Sequence, residues 1–205
     1  MIVEHRGKQP DIHPSAYVAP TAVVSGDVTV GPDVRVLFGA VVTAEGGTVE
    51  IGPESIIMEN AVLRGTPRHP CHVGRNVLVG PRAYLTGCTA DDACFLATGS
   101  TLFNGAVVET GAEVRINGVV HVESRVPAGE TVPIGWVAVG DPADILPPSE
   151  HEAIWTIQEK LDFPGTVFGL ERAPNEELMP TLTKRYGRSL ASHREDRELP
   201  SAEER

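Results

Sequence analysis

The residues most able to do chemistry lie between positions 59 and 72. Arg64 carries a fixed positive charge, and its planar guanidinium favours a carboxylate, a phosphate or a thioester carbonyl oxygen. His69 could act as a general base, because an imidazole titrates near neutral pH. Glu59 places a carboxylate five residues before Arg64. Arg64, His69 and Glu59 are therefore the candidate catalytic residues.

The segment His69-Pro70-Cys71-His72 contains three side chains of types that bind metals. Pro70 and the short span make this segment a poor chelate, and the sequence offers no evident fourth ligand. The sequence therefore predicts no metal ligands here.

Aliphatic residues recur at every sixth position through most of the first 140 residues, and the residue four places later is usually small. The two uninterrupted runs are Ile12, Val18, Val24, Val30, Val36 and Val42, and then Leu96, Leu102, Val108, Val114, Val120, Val126 and Val132. A period of six matches neither a simple strand nor a helix, but is typical of parallel β-helices. The sequence predicts a triangular coil with one short strand per side and the aliphatic residues inside.

The repeat is interrupted at three places, and two of these are insertions. Three extra residues fall within Glu45-Gly46-Gly47-Thr48, and four fall within residues 64–72, while one residue is missing between Leu85 and Ala90. Insertions in solenoids emerge as loops on one face, which is often the binding face. Glu45 and His69 therefore belong to loops that could border a site.

Correcting for these interruptions predicts which outward side chains stack. Thr43, Arg64, Thr86, Phe103 and His121 each directly follow an interior aliphatic residue, so we expect one column at a single corner of the prism. Neighbouring coils should be separated by the strand spacing of about 4.8 Å.

Four further polar residues are candidate ligand-binding residues. Asn60 lies on the same coil as Arg64, and Thr86 belongs to the predicted column. Glu45 lies in the first insertion, and Arg82 lies two residues before Tyr84 on the following coil.

Length and composition indicate one domain with an appendage. The 205 residues carry a formal net charge of −11, which argues against a nucleic-acid or anionic-membrane partner. Three cysteines without a CxxC pair indicate a reducing compartment. The first ten residues show no apolar leader, and no stretch approaches 18 apolar residues, so we expect a cytoplasmic chain.

Beyond the repeat, the sequence predicts helices and a tail. Ser149 and Glu152 form the pattern of a capping box, followed by an apolar stripe of Ile154, Ile157 and Leu161 that should lie on the prism. A shorter second helix is expected after Asn175. The predicted organisation is a β-helix domain at 1–145, a helical segment at 146–188 and a charged, disordered tail at 189–205.

The segments Ile12–Ala16, Ala19–Val28, Thr86–Thr89 and Val139–Ala143 resemble the gamma-class carbonic anhydrase family of hexapeptide-repeat proteins. This resemblance implies an all-β solenoid, a left-handed parallel β-helix with a C-terminal helix. It also implies a homotrimer with active sites between subunits.

The family's zinc site uses three histidines, and the resemblance aligns them with Arg64, Pro81 and Thr86. Arginine carries no free lone pair, proline has no side-chain donor atom and threonine is a poor zinc ligand. Zinc is therefore not expected at the family's position. The resemblance therefore suggests a pocket between subunits that binds a small anionic or acyl-bearing metabolite in place of the metal ion.

Other interpretations stay open. Arg64 could pair with Glu59 or Glu45 and simply hold the trimer, and His69 could be an exposed loop histidine. Hexapeptide-repeat proteins also include acyltransferases that use coenzyme A and an interface histidine as general base, and non-catalytic trimeric scaffolds. Fold analogy alone does not decide among these functions.

Overall fold

The computed structural model describes residues 1–200, in which short strands wind into a left-handed parallel β-helix. The strands of the first half are β1 (Ile2–Glu4), β2 (Asp11–Ile12), β3 (Tyr17–Val18), β4 (Val23–Ser25), β5 (Val28–Val30), β6 (Arg35–Val36), β7 (Val41–Ala44), β8 (Val49–Ile51), β9 (Ile56–Ile57), β10 (Val62–Gly65), β11 (Cys71–Val73) and β12 (Leu78–Val79). The strands of the second half are β13 (Tyr84–Thr86), β14 (Thr89–Ala90), β15 (Phe95–Leu96), β16 (Thr101–Leu102), β17 (Val107–Val108), β18 (Glu113–Val114), β19 (Val119–Val120), β20 (Arg125–Val126), β21 (Thr131–Val132), β22 (Val137–Val139), β23 (Asp144–Leu146) and β24 (Arg197–Leu199).

Every third strand of the coil joins the same sheet, which gives the prism three parallel faces. The first face runs from β1 through β4, β7, β10, β13, β16 and β19 to β22, with β23 and β24 added antiparallel at its two edges. The second face begins with β2 and β5, and the third begins with β3 and β6.

The register absorbs the insertions as the sequence predicted. Val18 lies opposite Val36, 18 positions later. Val36 then lies opposite Ile57, Ile57 opposite Val79, and Val79 opposite Leu96, so the spacing becomes 21, 22 and 17. The extra residues leave the coil as loops, and the strands remain aligned.

The predicted interior residues form the core. From Val24 to Val132, the residues at every sixth position of the two runs are buried, and Ile12 and Val18 at the open end of the coil are partly exposed. Small residues such as Ala22, Ala40 and Ala61 are also buried, where neighbouring walls converge. The residues at every sixth position therefore identify the interior of the prism.

The region after the coil folds back along the prism. Its helices are α1 (His151–Gln158) and α2 (Asn175–Leu190), with 3₁₀ turns at Glu159–Leu161 and Ala191–Glu195 and a π-helical turn at Pro164–Phe168. None of the helices within residues 1–200 is long and apolar enough to cross a membrane.

The first helix differs from its prediction at the N-terminus. Glu150 is the N-cap and no side chain caps the helix, so the expected capping box of Ser149 and Glu152 does not form. The Glu150 amide donates to the Pro147 carbonyl in a turn, and the Glu150 carbonyl accepts from Ile154, which starts the helix one residue later. Ile154 is buried as predicted, and α1 packs on β22.

The segment predicted as a disordered tail carries regular structure up to residue 199. Helix α2 continues to Leu190, and β24 pairs antiparallel with β1, with Leu199 opposite Ile2. Strand β1 is the edge of its sheet, and an edge strand presents unpaired backbone groups to another strand. Arg197 adds an ion pair with Glu4. Residues 201–205 of the predicted tail lie outside the described residues.

Replacing Leu102 by alanine should lower the free energy of unfolding by about 2–5 kcal/mol, because a fully buried interior side chain leaves a cavity in the prism. Thr101→Ala on the same strand faces outward and should cost less than about 1 kcal/mol. Urea unfolding of both variants checks this expectation. An equal loss in the two variants would contradict the assignment of the interior.

Candidate functional site

A column of outward side chains runs up one corner of the prism. Thr43 lies opposite Arg64, and Arg64 lies opposite Thr86. The next coils continue the column with Phe103 and His121, whose rings lie 6.3 Å apart between centroids. The stacking predicted from the sequence is therefore confirmed.

A cavity of about 380 Å³ lies against this column, within the 300–1,000 Å³ of typical small-molecule sites. One wall is the prism, and the other is formed by the π-helical turn and α2. Its lining residues are Glu45, Arg64, Thr66, Pro67, Arg68, Tyr84, Thr86, Phe103, Asn104, Phe163, Val167, Phe168, Leu170, Leu182, Arg185, Tyr186, Ser189 and Leu190. These residues come from the prism and from the segment that follows the coil.

Arg64 lies at the prism wall of the cavity with its side chain 23% exposed. Its guanidinium donates to the Tyr186 hydroxyl and lies 5.7 Å from the centre of that ring. A Glu45 carboxylate oxygen is 3.8 Å from the guanidinium. Of the two acidic partners predicted for Arg64, Glu45 and Glu59, the structure therefore shows Glu45. Glu45 also accepts from the Thr43 hydroxyl at 3.1 Å and contacts His193 at 3.1 Å, and it therefore keeps partners without Arg64.

The cavity is positively charged although the chain is acidic. Arg64, Arg68 and Arg185 line it against the single carboxylate of Glu45. Arg68 donates to the Gly165 carbonyl at 3.1 Å, and Arg185 donates to the Gly169 carbonyl at 3.2 Å. A guanidinium has five N–H donors, so these contacts leave donors for a bound anion.

Three of the predicted site residues lie away from the cavity. Glu59, Asn60 and Arg82 occupy the corner that precedes β10 and β13, where the Arg82 amide donates to the Glu59 carbonyl at 3.0 Å. Arg64 lies at the other end of β10, and a strand advances about 3.3 Å per residue. Residues on the same coil as Arg64 therefore need not lie beside the Arg64 side chain.

His69 also lies outside the cavity lining. Backbone hydrogen bonds between Thr66 and His69 close a tight loop whose tip, Pro67 and Arg68, reaches the cavity. The His69 ring contacts the Glu123 carboxylate at 3.1 Å.

The remaining polar groups of the second insertion do not converge on a common point. His72 is exposed beside Glu50 at 3.6 Å, and Cys71 is buried next to Cys88. The hydrogen bond with Cys71, together with burial, raises the pKa of the Cys88 thiol well above its ordinary value. Cys88 therefore stays a protonated packing residue at neutral pH.

The second wall of the cavity was not identified from the sequence. Leu182, Tyr186 and Leu190 recur every fourth residue on α2, and all three line the cavity. This spacing marks one face of a helix and is a signal that could have found them. It could not have told which prism face the helix covers.

The chain is similar in sequence to plant gamma carbonic anhydrases. Gamma carbonic anhydrase 1, mitochondrial, of Arabidopsis thaliana is 34% identical over 158 residues, which are 74% of this chain and 55% of the relative. Gamma carbonic anhydrase 2, mitochondrial, of the same organism is 31% identical with the same coverage. The chain thus spans about half the length of these curated relatives. No protein-family model matches the chain.

Among solved structures, a putative acetyltransferase from Bacillus cereus superposes with a TM-score of 0.54 at 25% identity, covering 78% of this chain and 92% of that one. A hexapeptide transferase family protein from Anaplasma phagocytophilum gives a TM-score of 0.52 at 20% identity, covering 94% and 96%. The latter likeness shows the fold alone.

Proposed function

Because this chain is a homologue of the gamma carbonic anhydrases, we propose that it keeps their β-helix and uses the Arg64 cavity to bind a small anionic or acyl-bearing metabolite. The observation that carries the proposal is a guanidinium, Arg64, at the wall of a cavity whose other walls are largely apolar. The ligand that fits is amphipathic, with a carboxylate or thioester oxygen at Arg64 and an apolar chain among Phe168, Leu182 and Tyr186.

The proposal includes the absence of zinc at the family's usual position. Arg64, Pro81 and Thr86 stand where the resemblance aligns the three histidines, and none of these side chains is a good zinc ligand. A fixed positive charge there repels a cation and attracts an anion. The role of the corner thereby changes from metal binding to anion binding.

A homotrimer forms part of the same proposal, and a row of apolar residues on the third face supports it. Ile56, Leu78 and Phe95 are consecutive in one register on this sheet, and Ile56 and Phe95 are exposed. Arg35 separates this row from the exposed Tyr17. Contiguous exposed apolar surface of this kind marks association sites.

We also propose a reducing compartment such as the cytoplasm, since Cys71, Cys88 and Cys94 are free thiols.

Acyl transfer from coenzyme A is the second candidate function, favoured by the likeness to the putative acetyltransferase. His121 is its candidate general base, because burial lowers its pKa and leaves the ring neutral at pH 7. Release of free coenzyme A from acetyl-CoA in the presence of amine acceptors, lost in His121→Ala, would favour this function over simple binding.

Octanoate should bind the protein more tightly than octanol, which has the same chain without the charge. Arg64→Ala should weaken octanoate binding about 10–100-fold, as expected for a lost hydrogen bond to a charged group. Arg64→Lys should rescue only partly, because an ammonium cannot make the planar two-pronged contact. Isothermal titration calorimetry measures all four affinities.

The matched control is Arg115→Ala, which removes an exposed arginine paired with Glu113 and should leave binding unchanged. Arg64→Ala should cost less than about 1 kcal/mol of stability, because Glu45 keeps Thr43 and His193 as partners. Early melting of Arg64→Ala, or equal affinity for octanoate and octanol, would contradict the proposed pocket.

The protein should hydrate CO2 no faster than the uncatalysed background. Without a metal at the family's position, no group there lowers the pKa of water towards neutrality, so hydroxide is not supplied at pH 7. Stopped-flow indicator assays test this. Hydration that a chelator abolishes and that persists in His193→Ala would show that the family's activity is retained at the Arg64 corner.

Sedimentation equilibrium at micromolar concentration should give three times the chain mass of 21.8 kDa. Ile56→Glu should dissociate the trimer by placing a charge in the apolar row. Thr29→Glu, on an exposed position of the second face, should not. A mass of one chain for the unmodified protein would refute the trimer.

A further inference from the structure

A second cluster of chemically capable side chains lies on the same corner, nearer the start of the coil. His5 directly follows β1, and Glu45 directly follows β7, two coils further along. Gly26 lies between them on the intervening coil. A Cβ at Gly26 would lie 3.2 Å from the Ala44 Cβ and 3.4 Å from the His5 Cβ, so the backbone at Gly26 packs closely beside His5.

The C-terminal segment completes the cluster with His193 and Asp196. The ring of His193 stacks on that of His5 with 4.4 Å between centroids. The Asp196 carboxylate contacts Nδ1 of both histidines, at 2.6 Å for His5 and 2.8 Å for His193. When both Nδ1–H groups donate to Asp196, the neutral rings present their Nε2 lone pairs on the other side.

Three donor atoms then lie close together. One ligand atom from each of His5, Glu45 and His193 lies within 4.8 Å of the others. The His193 Nε2 is 3.1 Å from a Glu45 oxygen. Tetrahedral bonds of about 2.1 Å separate neighbouring ligands by about 3.4 Å, so a small closure would complete the geometry.

The His5 side chain supplies an independent sign that something is bound. It is 1% exposed, and within residues 1–200 its Nε2 has no hydrogen-bond partner. Buried polar atoms are normally paired, because an unpaired one loses its water without compensation. A metal ion among the three donors would satisfy this nitrogen.

We propose that His5, Glu45 and His193 bind one divalent transition metal ion, with Zn²⁺ the best match. Two imidazoles and one carboxylate form a set that suits zinc and leaves a coordination position open. Asp196 holds both rings from behind, as carboxylates commonly do for metal-bound histidines. The site contains none of Arg64, Pro81 and Thr86, so it is separate from the family's position.

Glu45 links this site to the Arg64 cavity, since one carboxylate faces both. Both of its oxygens contact the His193 Nε2, at 3.1 and 3.2 Å, and one of them also lies 3.8 Å from Arg64. A bound metal ion would fix the orientation of this carboxylate at the edge of the cavity. The metal site nevertheless stands on its own geometry and does not require the proposed ligand.

The test is a Zn²⁺ titration of protein that was prepared without a histidine tag and treated with a chelator. Calorimetry should give one ion per chain with a submicromolar Kd, and Co²⁺ should produce visible absorption bands from the same site. His193→Ala should weaken Zn²⁺ binding at least about 100-fold. Asp196→Asn, which alters only the support of the rings, should weaken it about 10–100-fold.

The matched control is His72→Ala, because His72 is an exposed histidine beside a glutamate, 3.6 Å from Glu50. This variant should bind Zn²⁺ like the unmodified protein. Glu45→Gln provides a second ligand variant if His193→Ala proves unstable by circular dichroism. Absence of saturable binding, or unchanged affinity in both ligand variants, would overturn the site and leave a hydrogen-bonded cluster without metal.

Discussion

The narrow interior of the prism is the constraint on which the rest of the structure depends. Each side of each turn accepts one aliphatic side chain, and each such side chain contributes about 1.5–3 kcal/mol when it is fully buried. An extra residue inside a strand would turn these side chains outward, so insertions must leave the coil between strands. The loops at 45–48 and at 66–69 therefore emerge from the corner after β7 and β10, next to Arg64.

The C-terminal segment packs over this corner and encloses the cavity and the histidine cluster. Helix α2 covers the Arg64 column and supplies Tyr186, while the following turn supplies His193 and Asp196. Strand β24 then pairs with β1 and fixes the end of the segment. The cavity and the histidine cluster thus depend on the same docking of residues 175–199. Glu45 takes part in both, which makes the two sites neighbours through a single carboxylate.

The sequence predicted the coil well because its signal is local and repeats. The period of six identified the interior, and counting the insertions placed Arg64 beside Thr43 and Thr86. The same counting did not extend to Glu59 and Arg82, since sequence proximity along a coil places residues on different corners.

The contacts that the second wall makes with the prism were beyond sequence reasoning for a different reason. Tyr186 meets Arg64 across 122 positions, and His193 meets Glu45 across 148. No period connects these pairs, and the segment after Ser189 is so charged that its composition indicates disorder. The contacts follow from an exposed sheet edge and an open corner, which are properties of the folded coil. His5 was missed likewise, because its partner Asp196 lies 191 positions further along the chain.

A crystal structure of the protein with octanoate tests the Arg64 cavity most directly. We expect the carboxylate to lie within hydrogen-bond distance of the Arg64 guanidinium, with the chain between the prism and α2 of the same subunit. Octanoate bound elsewhere, or α2 displaced so that the Arg64 corner is open or occupied by a neighbouring subunit, would contradict it.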